Sequence, residues 1–352
     1  MIKNLIIGAG FSAAITKIVL GKESEIIGCL KQDKFHYNNL IRRKSLECNK
    51  IFSKKTLSYG SLRFNLKNGR LHDRLFKGGN SNIWGGKFNI KKIPNKFINL
   101  LKKNNIFLQK LSYSKTGTIS NNSDLAQLQT MSQKIFKVEH LPIKIKNNYV
   151  LKIFKDKKKL NVLSVNNKTK KKKIRTNKII LCVGTVQLLD LLFRSGFIKD
   201  KDIIEFSEFK HEFKWNFLNA KFNKKTTTVR YHFSRALGHY LGIQYFSLLL
   251  KFFKIIPLCI DQIFYLKKNN FKLILKDGVI SEIQKKNSYK ENFGDSIHYC
   301  NMRINKLNIN NFLKKFDKNL IGVGMPFVNQ KIPGPISNEI LLDMIKKIGF
   351  QD

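Results

Sequence analysis

The sequence has 352 residues, 42% of them hydrophobic, so it is long enough to bury a sizeable core as one large or two smaller domains. Its formal net charge is +44, but lysines far outnumber arginines and are spread along the chain. Because proteins that recognise specific nucleic-acid sequences favour arginine, we expect no specific nucleic-acid partner. The five cysteines are widely spaced and include no C-x-x-C pair, which argues against a disulfide framework or a zinc site and indicates a reducing compartment.

The N-terminal stretch NLIIGAGFSAAITKIVL predicts a buried strand over residues 4–7, a glycine turn and a helix. The turn has the spacing of the dinucleotide-binding fingerprint. Gly8 would make the tight turn, Gly10 would let the main chain approach a pyrophosphate, and Ala13 would let the helix pack close to the sheet. A glycine turn without a ligand is the structural alternative, and a secretory signal over residues 5–20 fits the pattern less well.

The second predicted strand, over residues 25–30, departs from that fingerprint. Dinucleotide-binding folds place an acidic residue after this strand, where it holds the adenosine ribose. The sequence EIIGCLKQDK offers apolar, basic and amide side chains first, and Asp33 is the nearest carboxylate. Asp33 is therefore the candidate for the ribose contact.

A glycine-rich stretch, LFKGGNSNIWGGKF, surrounds one of the two tryptophans of the chain with four glycines. Glycine lets the main chain approach another group closely or adopt positive φ at no steric cost. The stretch is therefore expected to lie against something flat or charged. The alternative is a loop packed on the sheet, with Trp84 buried in the core.

Three alternating stretches in the centre of the chain, NYVLKIFK, LNVLSVNN and KKIRTNKII, predict an antiparallel meander. The lysine run 170–173 is expected to form a solvated hairpin turn between the last two. An apolar strand over residues 179–183 then meets Gly184 and a helix that ends at Ser195 and Gly196. This order repeats the strand, glycine turn and helix of the N-terminus.

The region from residue 199 to 292 contains two patterns. His232 and His239 are seven residues apart, so on a helix they would share a face, and with Arg235 they could bind an anionic or sugar substrate. A partly exposed polar face is the alternative. The apolar stretch 241–266 is interrupted by charges and a proline, which predicts a buried helix pair rather than a membrane span, with contact to a membrane surface as the alternative.

The C-terminal sequence combines a lone histidine with an amphipathic helix. His298 lies in the stretch DSIHYCNMR. Pro335 suits the first position of a helix, and Gly349 would end it. The helix has one apolar stripe, formed by Ile336, Ile340, Leu341, Met344, Ile345 and Ile348.

Four of these stretches together resemble the glucose-methanol-choline (GMC) flavoprotein oxidoreductases, in a shortened form. They are IIGAGFSAA, GGNSNIWGG, LCVGTVQLLDLLFRSGFI and the C-terminal HYCNMR…NLIGVGMPFVNQKIPGPISNEILLDMI. The resemblance implies an α/β fold, with an FAD-binding Rossmann-type domain, an antiparallel β-meander and a reduced α+β substrate or cap domain. Residues 1–95, 137–198 and 293–352 would form the FAD-binding domain, and residues 96–136 and 199–292 the cap region.

The resemblance also implies a site. The stretch 78–86 would run against the flavin ring, with Trp84 at the edge of the flavin or the mouth of the substrate cavity. His298 would be the base that takes the hydroxyl proton, since a neutral imidazole accepts protons near physiological pH. The residues implied in FAD binding are Gly8, Gly10, Ala13, Gly78, Gly79, Asn80, Asn82, Trp84, Gly85, Gly184, Gly334 and Pro335.

One departure from the family concerns its second catalytic residue, a His or Asn just before the terminal helix. That position falls near Gly334, which has no side chain. Either Asn329, Gln330 or Asn338 substitutes for it, or His298 acts alone. The sequence shows no cluster of metal ligands.

The resemblance therefore implies an FAD-dependent oxidoreductase that acts on the CH–OH group of a sugar, polyol or glycoconjugate, with an electron acceptor that the sequence leaves open. A nicotinamide-linked dehydrogenase is the first alternative, and a non-catalytic descendant that keeps the cofactor or only the fold is the second. We expect a cytoplasmic protein, with peripheral contact to the inner face of the membrane as a further alternative.

Overall fold

A computed structural model describes residues 2–28, 62–65, 87–110, 118–120, 125–130, 138, 143–157, 159–166, 170–216, 227–232, 259–283, 299–329 and 336–349. The described strands are β1 (Ile2–Ile7), β2 (Ser24–Gly28), β3 (Arg63–Asn65), β4 (Lys87–Asn89), β5 (Ile106–Lys110), β6 (Thr118–Ser120), β7 (Leu125–Thr130), β8 (Ile145–Asp156), β9 (Lys159–Asn166), β10 (Lys171–Leu181), β11 (Ile203–Asn216), β12 (Thr227–His232), β13 (Cys259–Lys276), β14 (Val279–Glu282), β15 (Tyr299–Ile304), β16 (Leu307–Asn308) and β17 (Leu320–Gly322). The described helices are α1 (Phe11–Leu20), α2 (Asn95–Lys103), α3 (Thr185–Arg194), α4 (Ile309–Phe316) and α5 (Ile336–Ile348).

The centre of the fold is a parallel sheet in the order β8-β2-β1-β10-β17. In β1, Ile7 lies opposite Ile27 of β2 on one side and Leu181 of β10 on the other. These apolar strands are buried, as parallel strands covered on both faces are. The predicted strand and helix of the N-terminus are therefore confirmed.

An antiparallel meander, β8-β9-β10, shares two of its strands with the parallel sheet. In β10, residues 171–176 pair with β9, and residues 176–181 pair with β1. The predicted meander and the predicted α/β class with a Rossmann-type sheet are confirmed. One detail differs, because the lysine run is mostly strand: the main chains of Asn166 and Lys170 close the turn, and Lys171, Lys172 and Lys173 are exposed in β10.

A buried charged network joins α3 to a bulge in β8. The register of β8 shifts between Val150 and Lys152. The guanidinium of Arg194 donates to the carbonyl oxygens of Val150, at 2.7 Å, and of Leu151. It also donates to Asp190, at 2.9 Å, whose carboxylate is buried. Arg194 therefore satisfies the carbonyl groups that the bulge removes from the strand ladder.

A second, largely antiparallel sheet has the order β16-β15-β11-β13-β12-β6, and β14 pairs with both β13 and β3. This sheet corrects two expectations. His232 ends strand β12, so the helical spacing to His239 does not apply. Residues 259–266 of the predicted helix pair belong to β13, because their β-branched and aromatic residues suit a strand.

One buried cluster connects the two sheets through α3. It contains Leu5 of β1, Leu192 of α3, Phe206 of β11, Leu273 of β13 and Ile304 of β15. Strand β15 lies in the stretch 293–352, which was assigned to the FAD-binding domain, and it pairs with β11 of the second sheet. The division of the chain into a cofactor domain and a cap region stays a prediction.

The terminal helix α5 has the predicted stripe. Ile340, Leu341 and Met344 are buried, Ile345 and Ile348 pack partly buried against the core, and Gly349 follows with φ of 76°. Among the helices in the described ranges, none is long and apolar enough to cross a membrane.

Candidate functional site

The fingerprint turn lies at the carboxyl edge of the parallel sheet. Gly8 follows β1 with φ of +141°, and a Cβ built on it would lie 2.3 Å from the carbonyl oxygen of Cys182. The Gly8 amide donates to the carbonyl of Ile27 at 2.9 Å, and the Cys182 amide donates to the carbonyl of Ile7 at 2.8 Å. The turn is thus held between the ends of β2 and β10, where only glycine fits.

The other two fingerprint residues are Gly10, which precedes α1, and Ala13, which lies in the first turn of that helix. Gly10 caps α1 in an extended conformation, and the first turn of the helix contains no acidic residue. Ala13 is fully buried, so α1 packs closely against the sheet. The N-terminus of a helix carries a partial positive charge, and the small residues of the turn leave space beside it. This turn is therefore suitable for an anion such as a pyrophosphate.

Two further glycines line the same edge, and sequence reasoning missed them. A Cβ on Gly28 would lie 2.9 Å from both the carbonyl of Gly8 and the Cβ of Ala9. Gly324 has φ of +120°, and its Cβ would lie 3.0 Å from the Ser12 hydroxyl oxygen at the start of α1. Their signal in the sequence is a glycine at the end of an apolar strand or just after it, Gly28 in SEIIG and Gly324 in LIGVG.

The second glycine turn brings the C-terminal region to this edge. Gly184 caps α3, and the hydroxyl group of Thr185 donates to the carbonyl of Tyr299 at 3.1 Å. The amide of Asn301 donates to the carbonyl of Val328 at 2.7 Å. Strand β15, which begins directly after the histidine at 298, therefore lies between the start of α3 and the segment that leads to α5.

Strand β4 connects α1 to α5. The ring of Phe88 is buried, and its centroid lies 5.9 Å from that of Phe11, the first residue of α1. The side chain of Asn338 in α5 accepts a hydrogen bond from the amide of Asn89 at 2.8 Å and donates one to its carbonyl at 3.0 Å. Asn338 is one of the predicted substitutes for the missing catalytic group, and that role stays a prediction.

Buried and partly buried polar groups lie near the ends of β10 and β17. Burial raises the pKa of the Cys182 thiol to about 12, and its sulfur lies 3.8 Å from the Thr16 hydroxyl oxygen. The ammonium group of Lys347 donates to Asp343 at 2.6 Å, and also to the carbonyl of Gly322 at 2.8 Å. Burial lowers the pKa of Lys347 and raises that of Asp343, while their mutual attraction opposes both shifts.

Several predicted site residues lie outside the described ranges and stay predictions. They are Gly78, Gly79, Asn80, Asn82, Trp84, Gly85, His298, Gly334 and Pro335, together with Asp33, Arg235, His239 and Gln330. Asn329 is exposed at the end of its described segment. Within the described part of the chain, no three His, Cys, Asp or Glu side chains are grouped to hold a metal ion.

Comparison with known proteins gave no matching family model and no matching curated protein. Among solved structures, the chain is similar to pyridoxine 4-oxidase from Mesorbium loti, with 10% identity, a TM-score of 0.49 and full coverage of both chains. A flavoprotein/dehydrogenase from Cytophaga hutchinsonii has 11% identity and a TM-score of 0.24, with 81% of this chain and 72% of that chain covered.

A third similar structure is the myxobacterial chondrochloren halogenase, described as a variant of FAD-dependent halogenases. It has 7% identity and a TM-score of 0.29, with 99% of this chain and 72% of that chain covered. Two of these three names specify a flavoprotein or FAD.

Proposed function

We propose that this chain binds FAD and oxidises the CH–OH group of a sugar, polyol or glycoconjugate. The observation that supports this most is the convergence of Gly8, Gly28 and Gly324 at the carboxyl edge of the parallel sheet, beside the start of α1. In open α/β sheets, this edge is where nucleotides bind. FAD, when bound, supplies the flavin N5 that accepts a hydride from the carbinol carbon.

The described residues fit the pyrophosphate of such a cofactor. The main chain from Gly8 to Gly10 carries no side chain larger than a methyl group, and Gly10 caps the N-terminus of α1. An anion placed there would accept hydrogen bonds from the first amides of the helix. Gly324 adds a second stretch of bare main chain beside Ser12, on the β17 side of the turn.

His298 is the proposed base. In this role, a ring nitrogen accepts the hydroxyl proton of the substrate as the carbinol carbon loses its hydride. Support comes from strand β15, whose first residue, Tyr299, receives a hydrogen bond from Thr185 at the Gly184 turn. This contact holds the main chain of Tyr299 at the same sheet edge as the fingerprint.

Two sequence features favour the non-catalytic alternative. The position of the second catalytic group falls at Gly334, and no acidic residue directly follows β2. A descendant that keeps only the fold or the cofactor would tolerate both losses. The nicotinamide alternative shares the fingerprint, but the glycine-rich stretch 78–86 has no counterpart in nicotinamide-binding folds.

The test is the cofactor content of the purified protein. We expect a yellow protein that releases FAD on denaturation, and we expect Gly10→Val to lose the flavin while keeping its circular dichroism. Gly10 has φ of −93° and ψ of −173°, an extended conformation that valine adopts without backbone strain. Loss of flavin would therefore indicate that the valine side chain occupies the space of the pyrophosphate. Colourless protein that binds NAD would favour the dehydrogenase, and protein that binds neither would favour the non-catalytic alternative.

A further inference from the structure

The antiparallel meander β8-β9-β10 has a local excess of basic residues. Residues 145–181, the span of its three strands, contain 13 basic residues and one acidic residue, Asp156. In the whole chain, the corresponding numbers are 67 and 23. The excess in the meander is therefore larger than the lysine-rich composition of the chain accounts for.

One face of the meander is buried, so charged side chains are left on the other. Ile153 of β8, Val162 of β9 and Ile174 of β10 lie opposite one another and belong to the buried cluster that connects the two sheets. Because side chains alternate along a strand, the residues next to these three point away from the core. The outer face of the meander has four exposed cations and one partly buried ring, formed by Lys152, Phe154, Lys171, Lys173 and Arg175.

Side-chain contacts confirm that β8 and β10 share this outer face. The ammonium nitrogens of Lys152 and Lys173 each lie 5.5 Å from the centroid of the Phe154 ring. Asp156, the only carboxylate of the meander, forms an exposed ion pair with Lys173. The outer face therefore combines an aromatic ring with a net positive charge.

We propose that the outer face of the meander contacts an anionic membrane surface. Negatively charged lipid headgroups attract lysine and arginine wherever these lie in the plane of contact, and an aromatic ring suits the boundary between headgroups and acyl chains. The cations of β8 and β10 are spread about 10 Å apart across β9, as contact with a broad surface requires. Proteins that recognise nucleic acid, the competing polyanion, favour arginine, whereas lysine supplies three of the four cations here. The inference does not depend on the proposed cofactor.

The experiment measures binding to phosphatidylcholine vesicles, with and without about 30% phosphatidylserine, at about 0.15 M salt. The triple variant Lys152→Gln, Lys171→Gln, Arg175→Gln removes three exposed cations that form no ion pair with another described residue. Each cation near a membrane surface is worth about fivefold in affinity, so the dissociation constant for the anionic vesicles should rise about 100-fold. Wild-type protein should not bind vesicles of phosphatidylcholine alone. Unchanged affinity of the variant for the anionic vesicles would overturn the proposal.

The triple variant Lys92→Gln, Lys102→Gln, Lys103→Gln is the matched control, because it loses the same charge from exposed positions around α2. Helix α2 packs against the face of the parallel sheet that contains Ile6, whereas the meander packs against the face that contains Leu5. The control should bind the anionic vesicles within about twofold of wild type, since charges far from the contact are screened at this salt concentration. Equal weakening in both triple variants would show attraction by net charge alone and would overturn the proposal.

Two further measurements separate other outcomes. Circular dichroism should be the same for wild type and both triple variants, because all six substituted side chains are exposed. If the meander variant fails to fold, Lys152→Gln alone should still weaken vesicle binding about fivefold, and no effect of this single change would overturn the proposal. Wild-type protein that binds a DNA duplex of mixed sequence but not the anionic vesicles, at the same salt concentration, would assign the outer face to nucleic acid instead.

Discussion

The carbonyl oxygen of Cys182 occupies the space where a side chain on Gly8 would begin. A Cβ on Gly8 would lie 2.3 Å from that oxygen, and the φ of Gly8 is +141°. The clash involves main chain rather than a flexible side chain, and the Cys182 amide is itself bonded to Ile7. The shape of the fingerprint turn is therefore set by the pairing of β1 with β10, whether or not a ligand is bound.

Gly8→Ala should be strongly destabilising. Positive-φ strain and a contact that the sheet cannot relieve should together lower the free energy of unfolding by about 3–5 kcal/mol. The control is Gly196→Ala, because Gly196 has φ of +73° but nothing within 4 Å of its Cβ position, so only strain of about 1 kcal/mol applies. Urea denaturation measures both, and equal losses would contradict the role assigned to Cys182.

Arg194→Met should cost about 3–5 kcal/mol of stability. The substitution leaves the buried carboxylate of Asp190 without its cation and leaves the carbonyls at the β8 bulge unpaired. Lys3→Met removes a cation from an exposed pair with Glu23 and should have little effect. Denaturant unfolding that gives the same small change for both variants would contradict the importance of the Arg194 network.

Lys347→Met should destabilise the protein more at neutral than at acidic pH. Burial already raises the pKa of Asp343, and Lys347 opposes that rise, so removing the cation raises this pKa further. A carboxyl group whose pKa is higher in the folded than in the unfolded protein stabilises the folded state at pH values below the unfolded pKa. This stabilisation is lost as the pH rises through the folded pKa. The penalty of the substitution should therefore grow from about pH 4 to pH 7.

Urea denaturation over that pH range checks this sign. The penalty of Lys347→Met should be independent of pH when it is measured in an Asp343→Asn background, as the difference between the double variant and Asp343→Asn, because the titrating carboxyl is absent from both. A penalty of the single variant that is constant with pH would show that Lys347 acts only through its bonds to Gly322 and Asn310.

His298→Ala should retain flavin and lose catalysis. Reduction of the bound flavin by substrate should slow by on the order of 10² to 10⁴, the usual contribution of a positioned base. The wild-type rate should fall as the pH drops through the histidine pKa, normally about 6.5, and the variant should lose that dependence. Unchanged reduction would make His298 structural and direct the search to His211, His232 and His239.

The fold could be predicted from the sequence where one local pattern indicates both the type of an element and the elements that follow it. The strand 4–7, the fingerprint turn and α1 follow from apolar residues, glycine spacing and helix periodicity, and the structure confirms them. The conformation of residues 259–266 was harder to predict, because short apolar runs suit either a helix or a strand. Pairing with β11 decides their conformation, and that pairing is a long-range contact.

The site could be predicted only in part for a similar reason. Gly8, Gly10 and Ala13 belong to a motif with fixed spacing, whereas Gly324 approaches Ser12 only because β17 pairs with β10. Asn338 is a comparable case. Its type suggested a chemical role near the flavin, but its partner, Asn89, lies 249 residues earlier in the chain and no local pattern connects the two.

Strand β10 has a consequence for the order in which the protein folds. It is the parallel neighbour of both β1 and β17, so the first strand of the chain gains this partner only after residues 176–181 have been synthesised. Until then, β2 is the only strand among the described residues with which the apolar strand β1 can pair. Such distant pairings slow folding and leave apolar surface exposed on the nascent chain, where chaperones bind.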